Sequence, residues 1–312
     1  MNLGAGGERT CDMKITVTGA TGLIGSRLVR ALKARGDEVT VLSRNPAKAR
    51  EALGVDAVEW DPMAGPAPAE ALAGRDAVVH LAGENVAQRW TDDAKQAIRA
   101  SREVGTRNLV AGLRAAEPRP AALIASSAVG YYGKHGDERV GEDTPAGDDF
   151  LAEVCVIWER EAAAASELGL RVVHVRTGVV LDKDGGALKT MLPPFKLGVG
   201  GPVAGGDQYL PWIHADDLVG LYLAAVDGHD WEGPVNGAAP EPVTNAVFSK
   251  ALGRVLHRPA LLPVPGFAIQ LLYGEMSEIV TEGQRAVPNR AQALGFSYAH
   301  PDLDEALRDA LS

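Results

Sequence analysis

Residues 16–32 read TVTGATGLIGSRLVRAL, and this stretch decides the fold. Lys14–Thr18 alternates and is β-branched, which predicts a short strand running directly into glycines. Leu23–Ala34 then carries apolar residues at helical spacing and stops at Gly36. Between strand and helix stand Gly19, Gly22 and Gly25. Gly19 suits the tight turn, Gly22 allows backbone N–H groups to approach a pyrophosphate, and Gly25 permits close helix–strand packing. The helix N-terminus adds partial positive charge for the phosphates. The expected cofactor contacts here are Gly19, Thr21, Gly22, Leu23, Ile24 and Gly25. The competing reading is a glycine-rich turn without a ligand. The spacing is G-x-x-G-x-x-G rather than G-x-G-x-x-G.

Working outward, Glu38–Leu42 predicts the second strand, whose end should inspect the adenosine ribose. An NAD site places a carboxylate there for the 2′-hydroxyl. This chain reads VTVLSRNP and offers Ser43 and Arg44 instead. A guanidinium matches a 2′-phosphate, which favours NADP(H) over NAD(H); a solvated surface arginine is the alternative. Trp60 and Asp61 are candidates to flank the adenine. Leu81, Ala82 and Gly83 follow a strand whose carboxyl end should open onto the cofactor.

Ala77–Leu81 and Ala121–Ser126 are apolar runs of the kind buried on both faces of a parallel sheet. The charged segment Asp92–Ala115 and the segment Val154–Leu168 read as helices, and Arg171–Val175 as another strand. The alternation predicts an α/β protein with a doubly wound parallel-sheet Rossmann fold and a small C-terminal substrate lobe. The expected organisation is a disordered leader at 1–12 and an NADP(H)-binding Rossmann core at 13–180. A mixed substrate-side lobe at 181–312 returns in part to the core. Gly and Pro cluster between Gly185 and Pro211, which predicts loops there.

The 31 Lys and Arg against 41 Asp and Glu give a net charge of −10, which disfavours nucleic acid and anionic membrane as partners. Two cysteines, Cys11 and Cys155, build no disulfide framework and no metal-type Cys/His spacing, so no metal is expected and a reducing cytoplasm fits. The polar opening carries no signal-peptide core, and no run approaches a membrane span. A small-molecule substrate is the expected partner, with a homodimer left open.

The stretches GATGLIG, HLAG, ASSAVGYYG and WIHADDL resemble the extended short-chain dehydrogenase/reductases of the epimerase/dehydratase superfamily. GENVAQRW at Gly83–Trp90, KQAIRASR at Lys95–Arg102, RTGVVL at Arg176–Leu181 and the tail from Arg258 to Tyr298 resemble an atypical subgroup. Its members are bacterial "epimerase family proteins" with a C-terminal domain of unknown function. The resemblance implies a Ser that polarises the substrate and a Tyr-x-x-x-Lys pair for proton transfer. A phenol near pKa 10 needs a nearby cation to act as a base at neutral pH. Ser127 falls at the Ser position, but the helix reads FLAEVCVIWERE, with Leu151 for the Tyr and Cys155 for the Lys. Tyr131 and Tyr132 are the candidate substitute phenols, against a packing role; Lys134 and His135 read as a solvated loop end, and Cys155 as inert.

Glu84, Asn85, Arg89 and Trp90 after the HLAG strand end, with Trp212 and His214, are candidate substrate contacts. His214 has a structural role as its alternative. Thr177 and Gly178 end a strand over the expected nicotinamide half. Two functions stand: an NADP(H)-dependent epimerase- or reductase-like enzyme on a small polar substrate, or a non-catalytic NADP(H)-sensing regulatory module.

Overall fold

The computed structural model describes residues 13–312, so the leader expected at 1–12 lies outside the described residues. The chain opens with β1 (Lys14–Thr18) and α1 (Leu23–Ala34). It continues through β2 (Glu38–Ser43), α2 (Pro46–Leu53) and β3 (Asp56–Glu59). Helix α2 lies outside the elements predicted above, although its signals are local. The Asn45 side chain accepts the Lys48 N–H, Pro46 stands in the first turn, and Gly54 closes the helix in the left-handed region. Next come β4 (Ala77–His80) and α3 (Asp92–Ala115), the latter capped by Thr91 with Asp92 and Asp93 in its first turn. β5 (Ala122–Ala128) and the two-residue β6 (Arg139–Val140) lead to α4 (Phe150–Ala163). Asp149 caps α4, so the helix begins four residues before the predicted Val154, and a 3-10 segment finishes it at Ala164–Leu168. β7 (Arg171–Thr177) follows.

The second half contains β8 (Val179–Leu181), α5 (Gly186–Lys196), β9 (Tyr209–Leu210) and β10 (Trp212–His214). Then come α6 (Ala215–Asp227), β11 (Gly233–Gly237), β12 (Val243–Thr244) and α7 (Asn245–Leu256). The tail forms α8 (Gly266–Tyr273), α9 (Glu278–Thr281), β13 (Arg285–Ala286), α10 (Asn289–Ala293) and α11 (Leu303–Ala310). The loop predicted over 185–211 is therefore wrong at its start. Pro193 and Pro194 read as helix breakers, yet both sit inside α5. Burial of Leu188, Leu192 and Phe195 against Trp212, Phe248 and Leu252 outweighs the backbone bonds the prolines remove.

Seven parallel strands form the central sheet in the order β11-β7-β5-β4-β1-β2-β3. Helices α1 and α6 cover one face and α3 and α4 the other, each over its own apolar cluster. Leu28, Val29 and Leu32 of α1 are fully buried, and each such side chain contributes about 1.5–3 kcal/mol of transfer free energy. β11 lies beside β7, so residues 233–237 belong to the central sheet. Strand order reverses between β1 and β4, and ligands of open α/β sheets bind outside the carboxyl ends at such a point. No helix among the described residues is long and apolar enough to cross a membrane.

Candidate functional site

At the switch point the glycine turn is fitted tightly to its neighbours. Gly19 has φ +67, and a Cβ there would lie 2.6 Å from the Leu81 carbonyl carbon and 2.7 Å from the Ala82 nitrogen. A Cβ on Gly25 would lie 2.3 Å from the Gly19 oxygen, so neither position tolerates a side chain. Gly22 is the extended N-cap of α1, and Thr21 and Gly22 are exposed. Leu23 packs against Gly185, and Ile24 packs on the sheet core. The structure thus brings the turn together with Leu81 and Ala82.

Two residues the sequence reading missed hold this junction. The Thr18 hydroxyl accepts the Leu81 and Ala82 N–H groups, both at 3.2 Å, and lies 2.7 Å from His80 Nδ1. Having accepted twice, it donates to Nδ1, which leaves the ring proton on Nε2 facing Thr106 Oγ1 at 3.1 Å. Burial, aided by the Arg102 charge, holds His80 down at about pKa 4, so the ring is neutral. The only sequence signal was the position of His80 at the head of HLAG.

At the ribose end, Arg44 is exposed just beyond β2 and makes no hydrogen bond or ion pair among the described residues. The Ser43 hydroxyl accepts the Asn45 N–H at 3.1 Å. Trp60 is instead 5% exposed in the core under α3, with Nε1 donating to the Gly65 carbonyl. It is unavailable to flank an adenine.

Beyond the ends of β5 and β7 lies a cleft of about 250 Å³. Ala128, Leu151, Cys155, Trp90, Thr177 and Gly178 are among its walls, and residues 278–284 roof it. Leu151 and Cys155, the residues at the Tyr and Lys positions, thus both face the cleft, and its lining is mostly apolar rather than suited to the polar substrate expected. Burial pushes the Cys155 thiol up to about 12, with Glu159 adding to the effect, so it stays protonated. Arg102 reaches the cleft from α3, its Cζ 4.8 Å over the Trp158 ring and against Gly83. The GENVAQRW segment divides. Trp90 is buried in the wall and donates Nε1–H to Val86, whereas Glu84, Asn85 and Arg89 are exposed and line no part of the cleft. Arg89 stands by Gly274 of the tail.

The proposed catalytic hydroxyls are elsewhere engaged. Ser127 is 3% exposed and donates to Glu159 Oε1 at 2.6 Å. Arg176 clamps the same carboxylate through Nε at 2.8 Å and Nη2 at 2.9 Å. Arg176 Nη1 donates to the Tyr132 hydroxyl, which donates to Asn236 Oδ1 at 2.7 Å. Tyr132 is fully buried, and burial pushes its pKa up to about 12, so the structure overturns its candidacy as the base. Tyr131 stacks on the Arg176 guanidinium, 3.5 Å from ring centre to Cζ, outside the cleft lining. These residues form one polar network binding β5, α4, β7 and β11.

Trp212 and His214 also leave the substrate set. Trp212 is 1% exposed and donates to the Glu241 carbonyl. His214 caps α6, its Nδ1 accepting the Asp216 N–H. His214, Asp216, His300 and Asp309 bring four ligating atoms within 4.8 Å. His214 Nδ1 is occupied by the Asp216 N–H, while Nε2 lies 3.2 Å from an Asp309 carboxylate oxygen and makes no hydrogen bond.

The NAD dependent epimerase/dehydratase family profile matches residues 15–236, and a domain of unknown function, DUF1731, matches residues 264–310. The chain is 41% identical to the Epimerase family protein SDR39U1 homolog, chloroplastic, of Arabidopsis thaliana, over 96% of this chain and 87% of that protein. It is 38% identical to the Epimerase family protein YfhF of Bacillus subtilis, over 96% and 98% respectively. Among solved structures, the human epimerase family protein SDR39U1 (isoform2) with NADPH superposes with a TM-score of 0.86 at 37% identity, over 96% of this chain and all of that one.

Proposed function

The chain belongs to the NAD dependent epimerase/dehydratase family, and from that premise we propose that it binds NADP(H) across the switch point and acts on a small molecule in the adjoining cleft. The observation that carries the reading is the side-chain-free cradle at Gly19 and Gly25, fitted against Leu81 and Ala82 at the strand-order switch point. The similar human protein was crystallised with NADPH, and the unpaired Arg44 has the chemistry for a 2′-phosphate. Thr21, Gly22, Leu23 and Ile24 would receive the pyrophosphate, Ser43 and Arg44 the ribose phosphate, and Thr177 and Gly178 the nicotinamide half. When bound, NADP(H) supplies hydride exchange.

In this reading Ala128, Leu151 and Val154 exclude water around the reacting centre, and Ser127 is a positioning residue acting through Glu159. The Tyr-x-x-x-Lys positions hold Leu151 and Cys155, and the Tyr209 and Lys134 that do border the cleft come from separate elements, Lys134 being paired with Glu282, so in this reading solvent balances the proton. The division into a nucleotide core at 13–180 and a substrate lobe at 181–312 belongs to the same proposal, as does a cytoplasmic setting. A second reading, an NADP(H)-sensing module without turnover, draws on the apolar Leu151 and the neutral Cys155 at the dyad positions.

Nicotinamide fluorescence on titration with NADPH and NADH tests the first step. Wild type is expected to prefer NADPH, and Gly22→Asp, which sets an anion against the phosphates, to lose both. Wild type binding neither would overturn the proposal. Oxidation of NADPH by any carbonyl substrate in a screen favours the enzyme; tight binding without turnover favours the sensor.

A further inference from the structure

Arg102 is a buried cation with three of its five N–H donors unassigned among the described residues. The residue is 8% exposed, and only Nη1 is engaged: with the Glu84 carbonyl at 2.9 Å, the Ser101 hydroxyl at 3.2 Å and the Ile98 carbonyl at 3.3 Å. Nε and Nη2 make no hydrogen bond, and no carboxylate lies within ion-pair distance, among the described residues. Arg107, little more than a turn along α3, has both Glu103 and Glu161. A guanidinium stays charged even where burial lowers its pKa, as it does here, so Arg102 keeps a costly unpaired charge facing the cleft. Its neighbour Trp158 adds a second unused donor, because Nε1 is buried without a partner.

We infer that the cleft takes a small monocarboxylic acid with an apolar body, its carboxylate held by Arg102 and its body against Trp90, Leu151 and Val154. The planar fork of arginine matches a carboxylate through two parallel hydrogen bonds. Cys155, beside Arg102, stands where the resemblance implies the dyad lysine, so the cation of this site comes from α3 rather than α4. The roof argues against more highly charged ligands. Glu278 and Glu282 border the cleft with Asp149, and burial together with Glu282 holds the Glu278 carboxyl above its ordinary range. Lys134 at that edge is already paired with Glu282. A cavity of about 250 Å³ is also at the small end for a ligand site. Both ligands would meet Arg102, but the greater charge of a sugar phosphate is repelled more strongly by Asp149, Glu278 and Glu282, and its hydroxyls would face apolar walls.

The inference rests on the proposed function only in placing the ligand in the same cleft, and the test separates the two. Intrinsic tryptophan fluorescence of the full chain, with and without NADPH, follows titration by phenylacetate, phenylacetamide and glucose 1-phosphate. Phenylacetate is expected to bind at least tenfold more tightly than its amide and than glucose 1-phosphate. Arg102→Gln should erase the acid–amide difference while leaving the NADPH Kd within twofold, and Arg102→Lys should restore part of it. The acid–amide comparison on wild type stands even if the variants do not fold. Equal binding of acid and amide, or tighter binding of glucose 1-phosphate, overturns the inference, as does a tenfold loss of NADPH affinity in Arg102→Gln with the acid unaffected. Binding of phenylacetate by a chain that ignores NADPH overturns the proposed function and leaves this inference standing.

Discussion

The glycine turn and the ground beneath the cleft lie at the same carboxyl end of the sheet but are built by opposite means. Gly19, Gly22 and Gly25 form the turn with backbone atoms from one continuous stretch, fitted against the end of β4. The ground beyond β5 and β7 is a side-chain network, Ser127–Glu159–Arg176–Tyr132–Asn236, drawn from residues over a hundred positions apart. A backbone site can be changed in its ligand preference without unfolding the protein. A buried charge network cannot lose a member so cheaply, because each partner left behind is desolvated and unpaired.

The sharpest way to break this contrast is Arg176→Met. Arg176 and Glu159 side chains are 4% and 12% exposed, and stranding one partner of such a pair costs about 3–5 kcal/mol. Urea denaturation should show a loss of that size; a change below about 1 kcal/mol would mean the network contributes little. Acid comes next. His80 has its pKa lowered from 6.5 to about 4, so its neutral form supports folding fully above pH 6.5. As pH falls, the unfolded chain takes up the proton first, and about 3 kcal/mol is lost between roughly pH 6.5 and 4. Denaturation midpoints across that range should lose the corresponding slope in His80→Gln.

Tyr132→Phe removes one hydroxyl from the network and leaves Asn236 Oδ1 and one Arg176 donor unsatisfied, for about 1–3 kcal/mol of stability. It should leave NADPH affinity unchanged, and a matching loss of affinity would mean that the two regions are coupled. The smallest effect belongs to the backbone site. Arg44→Ala should weaken NADPH about tenfold, or about 1.4 kcal/mol, leave NADH binding intact and not move the unfolding midpoint. An equal loss for both nucleotides would return Arg44 to an ordinary surface role.

Helix α3 was legible to the residue because its Thr91 cap, first-turn acids and apolar stripe are neighbours in sequence. The glycine turn was legible for the same reason. The direction of Ser127 was not. Ser126 and Ser127 are adjacent on β5 and point to opposite faces, the first to Tyr222 of α6 at 2.6 Å and the second to Glu159 of α4. Either serine could have faced the ligand until α4 and α6 were packed. Arg102 was not legible in the sequence, because its lack of an ion-pair partner exists only in the packed cleft.

The sequence by itself determined the parallel α/β sheet and its glycine turn, since each is written in local spacing and backbone stereochemistry. The tertiary structure decided which polar groups remain free. It locked Ser127 and Tyr132 into a buried network, withdrew Trp60, Trp212 and His214, and left Arg102 and Trp158 facing the cleft. A buried donor or acceptor is satisfied by whatever folding brings within about 3 Å of it, and that neighbour is set by packing rather than by position along the chain.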